Sequence, residues 1–330
     1  MIPTEPFFTV VTPSWNRAHL LNRVFRSLSE QTFTNFEWIL ANDGSSDDTS
    51  VVAHDLMQSK IIPIHFIEAN KRVGKLRLDN EAILKCRGEL VLWCDSDDYL
   101  LPEALQILYD LWMGIPYQER GKYSGLTGVA STRDGQILHP FANEKIIDTT
   151  WNDIFGAHTK GSKTQDMVLC VTAKVLKTNL FPEVDFVAPE GVVWTKIGNM
   201  KTKLISKPLK FVEYGHIGAI SYSNKMEYNR GRAIALAQIF SEMRKYDTTF
   251  NYQLRNSVNY HRYVLHGEIK LSKAKDDWCL KKMLLFNYFA ILLAFCYFLK
   301  DRVFKKVIKT HKEFEKNNRS AQITYSRNYD

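Results

Sequence analysis

Chemistry in this chain begins with carboxylates that no packing argument explains. Leu90-Val91-Leu92-Trp93-Cys94 is an apolar run that delivers Asp95, Ser96, Asp97 and Asp98 to its end. Like charges so close repel and raise one another's pKa values unless a cation or a ring of donors neutralises them. A hard divalent ion such as Mg²⁺ or Mn²⁺, taking oxygens from carboxylates and from a diphosphate, is one solution. A solvated acidic turn that opens a helix near Pro102 is the other, because Asp is common at helix starts.

Two further clusters follow apolar runs. Asn42-Asp43-Gly44-Ser45-Ser46-Asp47-Asp48-Thr49 offers a carboxylate, a flexible glycine and several hydroxyls. Asp43 there can accept hydrogen bonds from a base or a ribose, while Ser46 or Asp47 can cap a helix. Asn70-Lys71-Arg72-Val73-Gly74-Lys75-Leu76-Arg77 gathers four cations around one glycine before Leu78-Asp79-Asn80. Cations and free amides at a helix start suit a diphosphate, although a solvated basic loop would read the same way.

The elements that must hold these residues alternate. Phe7 to Thr12 reads as a buried strand, a helix carries Leu20, Leu21, Val24, Phe25 and Leu28, and Phe36 to Ala41 is a second strand. A helix over 50–59, a strand over 62–68, a helix over 79–86 and a strand over 90–94 continue the pattern, which predicts a mostly parallel sheet flanked by helices. In such sheets ligands sit beyond the carboxyl ends of the strands, where all three clusters fall. A helix from Pro102 to about Met113 is expected, and Ser131 to Leu138 reads as a hairpin with an Asp-Gly turn.

Taken in order, Val10-Val11-Thr12-Pro13-Ser14-Trp15-Asn16-Arg17, the Asp43 loop, Gly74-Lys75 with Asn80, and Asp95-Ser96-Asp97-Asp98 resemble the family 2 glycosyltransferases with a GT-A fold, including bacterial polysaccharide and capsule enzymes. The likeness is dense over the first third of the chain and thin over the next. It implies an α/β GT-A catalytic domain over 1–225, with a nucleotide-sugar half at 1–113 and an acceptor half at 114–225, followed by a helical region at 226–330. It also implies a nucleotide-sugar donor, most often a uridine diphosphate sugar, a Mn²⁺ or Mg²⁺ ion, inversion, and a glycan or lipid-linked saccharide as acceptor. Carried over by residue, Asp43 meets the base, and Pro13, Asn16 and Arg17 line the nucleotide pocket. Lys75 and Asn80 approach phosphates or ribose, Asp95 with Ser96 the donor, and Asp97 the metal.

Two departures stand out. Leu78-Asp79-Asn80 replaces the Ala-Arg-Asn of many members, so Lys75 or Arg77 stands in for a phosphate-contacting arginine. Ala188-Pro189-Glu190-Gly191 replaces a Glu-Asp pair, making Glu190 the expected base ahead of Glu183 and Asp185. In Glu213-Tyr214-Gly215-His216, the histidine is a candidate contact to metal or diphosphate. A sugar-nucleotide nucleotidyltransferase would show a glycine-rich, arginine-bearing loop after the first strand, which Pro13 to Arg17 lacks. A binding protein without turnover is the remaining alternative, opposed by Asp95, Asp97 and Glu190.

The formal net charge of +8 does not by itself choose a partner. No nucleic-acid module accompanies it, and nucleic acid is not expected. The apolar run at 283–299, shorter than the roughly 20 residues of a spanning helix, lies between Lys281-Lys282 and Lys300, Arg302, Lys305 and Lys306. That pattern suits either a core helix or attachment to an anionic membrane surface. No secretory signal is read at the N-terminus, and five scattered cysteines read as reduced thiols, so a cytoplasmic enzyme, peripheral on the inner face of the membrane, is the expectation.

Overall fold

The computed structural model describes residues 5–135, 146–155, 167–182, 190–212, 233, 236, 250–266, 284–303 and 321–329. Its first part runs β1 (Phe8–Ser14), α1 (Ala18–Ser29), β2 (Phe36–Asn42), α2 (Thr49–Gln58), β3 (Ile64–Ala69), α3 (Lys75–Lys85), β4 (Leu90–Trp93), β5 (Tyr99–Leu100) and α4 (Ala104–Met113). There follow β6 (Tyr123–Ser131), β7 (Ile146–Thr150), α5 (Trp151–Phe155), β8 (Met167–Thr172), α6 (Ala173–Thr178), α7 (Gly191–Ile197) and β9 (Lys201–Phe211). Two long helices, α8 (Phe250–His266) and α9 (Leu284–Val303), precede a last strand, β10 (Ile323–Arg327).

One mixed sheet has the order β10-β3-β2-β1-β4-β8-β6-β9-β5, with β7 on β9. β3, β2, β1 and β4 are mutually parallel, while β8 and β10 join their two sides antiparallel. The parallel strands are apolar almost throughout because helices cover both faces. Alternate side chains split between the two: Val10, Trp38, Leu40 and Leu92 pack with α1, α2 and α4, and Val11, Ile39, Ala41, Val91 and Trp93 pack with α3, α6 and α7. Because β1 has β2 on one side and β4 on the other, the chain changes direction across the sheet at β1/β4. The crevice beyond the ends of these strands is where an open α/β sheet takes its ligand.

The structure departs from the sequence reading in two places, at the start of α3 and at the end of the chain. Helix α3 starts at Lys75 rather than Asp79, since Gly74 with φ +92° turns the chain directly into it. The expected Asp-Gly turn closes with Gly135 N–H donating to Thr132 O at 2.9 Å; the second arm of the expected hairpin, 136–138, lies outside the described residues, and among those described β7 pairs with β9 while β6 lies between β8 and β9. The expected helical region 226–330 ends instead in β10, which extends the edge of the nucleotide-side sheet along β3. Asn328 fixes this return by accepting from Ile64 N–H at 2.6 Å and donating to Met57 O and Ile62 O. Tyr329 Oη donates to the buried Glu37 at 2.7 Å.

Helices α8 and α9 pack on each other through Val258, Ala290 and Ala294, and Arg262 makes a two-pronged bond to Asp301 at 2.5 Å. Among the described residues no helix is long and apolar enough to cross a membrane. Cys86, Cys94 and Cys170 are buried free thiols and Cys296 is exposed; Cys279 lies outside the described residues.

Candidate active site

The loops after β1 and β2 are stitched together by side chains. Asn16 sits at φ +53°, its amide N–H donating to Ser45 Oγ (2.8 Å) and its Oδ1 accepting from Ser46 N–H (2.8 Å). Arg17 N–H donates to Thr49 Oγ1. Pro13, at the end of β1, is half-buried beside them. Gly44 has φ +62°, and a Cβ there would lie 2.2 Å from the Lys71 carbonyl carbon, so only glycine lets the β2 loop rest against the β3 loop.

Asp43 closes that junction. Its Oδ1 accepts from Val73 N–H (2.6 Å) and Gly74 N–H (2.9 Å), just ahead of α3. Burial pushes its carboxyl up to about 6, although the two amides and the Arg72 guanidinium favour the charged form. Arg72 Nε lies 3.7 Å from Asp43 Oδ2, and its guanidinium covers the exposed Trp15 ring at 3.7 Å. An acceptor oxygen, a cation and an aromatic face thus meet at the end of β2.

Lys75, in the first turn of α3, is the hub of the second group. Its Nζ lies 2.7 Å from Glu190 Oε1, 2.9 Å from Asp79 Oδ2 and 3.9 Å from Asp95 Oδ1. Burial penalises the ammonium, yet these three carboxylates hold it protonated well above a lysine's ordinary range. Asp79 is fully buried and accepts from Trp93 Nε1 at 3.0 Å. Burial raises its carboxyl to about 6, an effect that Lys75 partly offsets.

Glu190 immediately precedes α7, where its carbonyl accepts from Val193 N–H at 3.0 Å. The helix is anchored by Trp194, stacked on Trp151 (5.7 Å) and met edge-on by Trp93 (5.5 Å) and Phe181 (5.6 Å). Helix start and side-chain chemistry therefore coexist at Glu190. The aromatic cluster is what brings residue 190 back to the end of β4.

The acidic turn after β4 closes with Asp98 N–H donating to Asp95 O at 2.9 Å. Asp98 does not stay with the other two: it is buried and bonds Lys210 on β9 at 2.6 Å. Burial, with the charges of Asp95 and Asp97, pushes its carboxyl up to about 7 against the pull of Lys210. The expectation that all three aspartates face a metal is corrected on this point, because Asp98 already has a dedicated cation. Arg23 donates to the Asp97 carbonyl, and Ser96 is buried in the turn. Asp95 Oδ1 is buried with no hydrogen-bond partner.

Among the described residues no three His, Cys, Asp or Glu side chains cluster closely enough to cage a metal. A Mg²⁺-type ion needs no such cage, since one or two carboxylates plus substrate phosphates suffice. Asp95 Oδ1, which has no hydrogen-bond partner and only the 3.9 Å ion pair to Lys75, fits that mode together with Asp97.

The structure thus gathers Lys75, Asp95 and Glu190, with Asp43 one loop away. Asn80 faces elsewhere: its Nδ2 donates to Phe181 O (3.0 Å) and its Oδ1 accepts from Phe181 N–H (2.8 Å). His216, Glu183 and Asp185 lie outside the described residues. Asp79, Lys210 and Trp194 were not singled out for this site from sequence. The only signal was at Asp79, where an acidic residue stands in place of a family arginine.

Residues 9–159 match the glycosyl transferase family 2 model. The GalNAc(5)-diNAcBac-PP-undecaprenol beta-1,3-glucosyltransferase of Campylobacter jejuni is 34% identical over 62% of this chain and 64% of its own length. This chain spans less than two thirds of the length of the curated relatives it first matches. The crystal structure of S. aureus TarS 1-349 in complex with UDP-GlcNAc shares the fold over 97% of both chains, with TM-score 0.58 and 14% identity. A mannosyltransferase from Pyrobaculum calidifontis in complex with GDP-Man and Mn²⁺ does so over 91% of this chain and 89% of its own, with TM-score 0.50 and 15% identity. The four strand-end clusters and the order of the parallel strands agree with these likenesses, and residues 9–159 are the part of the chain that matches glycosyl transferase family 2.

Proposed function

We propose that this protein moves a sugar from a nucleoside diphosphate donor, uridine diphosphate first, to a hydroxyl of a growing glycan or lipid-linked saccharide, with inversion. The observation that carries this reading is the convergence of Asp95 and Glu190, from distant stretches of chain, within 4 Å of the Lys75 ammonium that Asp79 also holds. Asp43, Arg72 and Trp15 hold the base end of the donor, and Lys75 and Asp95 the diphosphate and sugar end. Glu190 takes the proton from the acceptor hydroxyl as its oxygen attacks the anomeric carbon opposite the departing diphosphate. Asp97 holds Mn²⁺ or Mg²⁺, which when bound offsets charge on the leaving diphosphate. The C. jejuni relative, whose name specifies an undecaprenol-linked acceptor, supports a lipid-linked saccharide here.

The membrane contact we assign to α9. Phe289, Leu292, Phe295 and Leu299 are exposed on one face, opposite Ala290 and Ala294, and Lys300 stands exposed at its end. A shallow apolar stripe beside cations suits peripheral attachment at an anionic surface.

Release of nucleoside diphosphate from a panel of donors, with metal and after chelation, tests the activity. Glu190→Gln tests the base: turnover should fall by roughly 10²–10⁴ with the fold intact, and near-normal turnover would remove Glu190 from that role.

A further inference from the structure

The carboxylate assigned as base is already engaged. Glu190 Oε1 lies 2.7 Å from Lys75 Nζ, so the carboxylate's charge is already offset by an ammonium that lowers its readiness to take a proton. That same ammonium also serves Asp79 and Asp95. The three partners are held unequally. Asp79 is fully buried and fixed by the Trp93 indole. Glu190 is partly exposed, at 37%, at the start of a short helix, and Asp95 is still more exposed.

A diphosphate entering beyond β1 and β4 brings strong anionic oxygens to the first turn of α3, where Lys75 is the cation already on station. Phosphate competes well for an ammonium, and a partly exposed carboxylate is its cheapest partner to give up. Asp79 cannot leave, so the ammonium stays at the site while its outer partner changes.

We propose that Lys75 is handed from Glu190 to the donor diphosphate, so that the base is uncovered only when donor is bound, with Asp79 as the positioning residue that retains the ammonium. This rests on the reading of Glu190 as base and Lys75 as a phosphate contact. Its consequence is an order of events: acceptor activation waits for the donor because the same lysine masks one and binds the other.

Titration calorimetry on the full chain with UDP and Mg²⁺, GDP in parallel and uridine as control, tests it. Glu190→Gln should bind the diphosphate about threefold more tightly than wild type, the size of a partly exposed ion pair. The gain should vanish in a Lys75→Met background and be absent for uridine. Unchanged or weaker binding in Glu190→Gln overturns the handover. An equal gain in the Lys75→Met background also overturns it, since that is plain repulsion between Glu190 and the phosphates. Binding of neither nucleotide by wild type overturns the handover together with the donor reading. Turnover of Glu190→Gln judges the base separately: lost turnover with unchanged affinity sinks the handover alone.

Discussion

Replacing Asn80 by alanine separates an architectural role from a donor-binding one. In the structure its side-chain amide is spent on the backbone of Phe181, donating at 3.0 Å and accepting at 2.8 Å. Phe181 in turn packs edge-on against Trp194, the anchor of α7. Asn80→Ala removes two buried neutral hydrogen bonds, about 1 kcal/mol each, and leaves a buried N–H and C=O without partners at a further cost of about 1–2 kcal/mol. A total near 3 kcal/mol corresponds to a melting temperature lower by roughly 4–6 °C for a chain of this length. Asn80→Asp keeps the acceptor for Phe181 N–H and should lose about half as much. Thermal unfolding gives the stability and calorimetry with UDP gives the affinity, which should stay within about twofold of wild type. Wild-type stability combined with weakened nucleotide binding would refute the reasoning and return Asn80 to the donor site.

Asp97→Ala should abolish transfer while leaving the melting temperature near wild type; full activity in that variant, or in wild type after thorough chelation, would refute the metal assignment. If Asp43 meets the base as proposed, its ionised form is the stronger acceptor, and its carboxyl is raised to about 6, so nucleotide affinity should fall as pH drops through about 6 and Asp43→Asn should be weak and flat with pH. The stability contribution of the same group has the opposite sense, complete below about 3.8 and lost as pH rises through about 6. Phe289→Ser with Leu292→Ser should weaken sedimentation with anionic vesicles by roughly tenfold or more, without changing unfolding. A full chain that ignores such vesicles would sink the membrane contact.

The parallel half of the fold was legible because strands covered on both faces leave unbroken apolar runs, as at Phe36–Asn42 and Leu90–Trp93. The start of α3 was not, because Lys75, Asp79 and Asn80 put polar side chains where a helix would show its apolar stripe, each satisfied by a partner distant in sequence or by its neighbour on the helix. β10 was hidden for a related reason. Ile323-Thr324-Tyr325-Ser326-Arg327 is a weak strand alone, and it forms by pairing with β3 far back in the chain. That return also argues for side-chain variants on α9 over truncation from Lys281, which would strip the sheet edge and the Tyr329 bond to Glu37.

The sequence displays aspartates and glutamates of one chemical type, and environment sorts them. Asp98 is neutralised by Lys210, and Asp79 by Lys75 and Trp93. Asp43 has one oxygen filled by two amides, leaving the other toward Arg72. Once those buried groups are accounted for, Asp95, Asp97 and Glu190 remain at the strand ends, each only partly covered. Burying a carboxylate is tolerable only with a dedicated partner, so the partnered ones hold the turn, the helix start and the loop in place. The partly covered ones are those the proposed function assigns to donor, metal and acceptor. Lys75 belongs to both sets, tied inward to Asp79 and outward to Glu190 and Asp95. One lysine therefore links the rigid part of the site to the part that, in the proposed handover, changes partners.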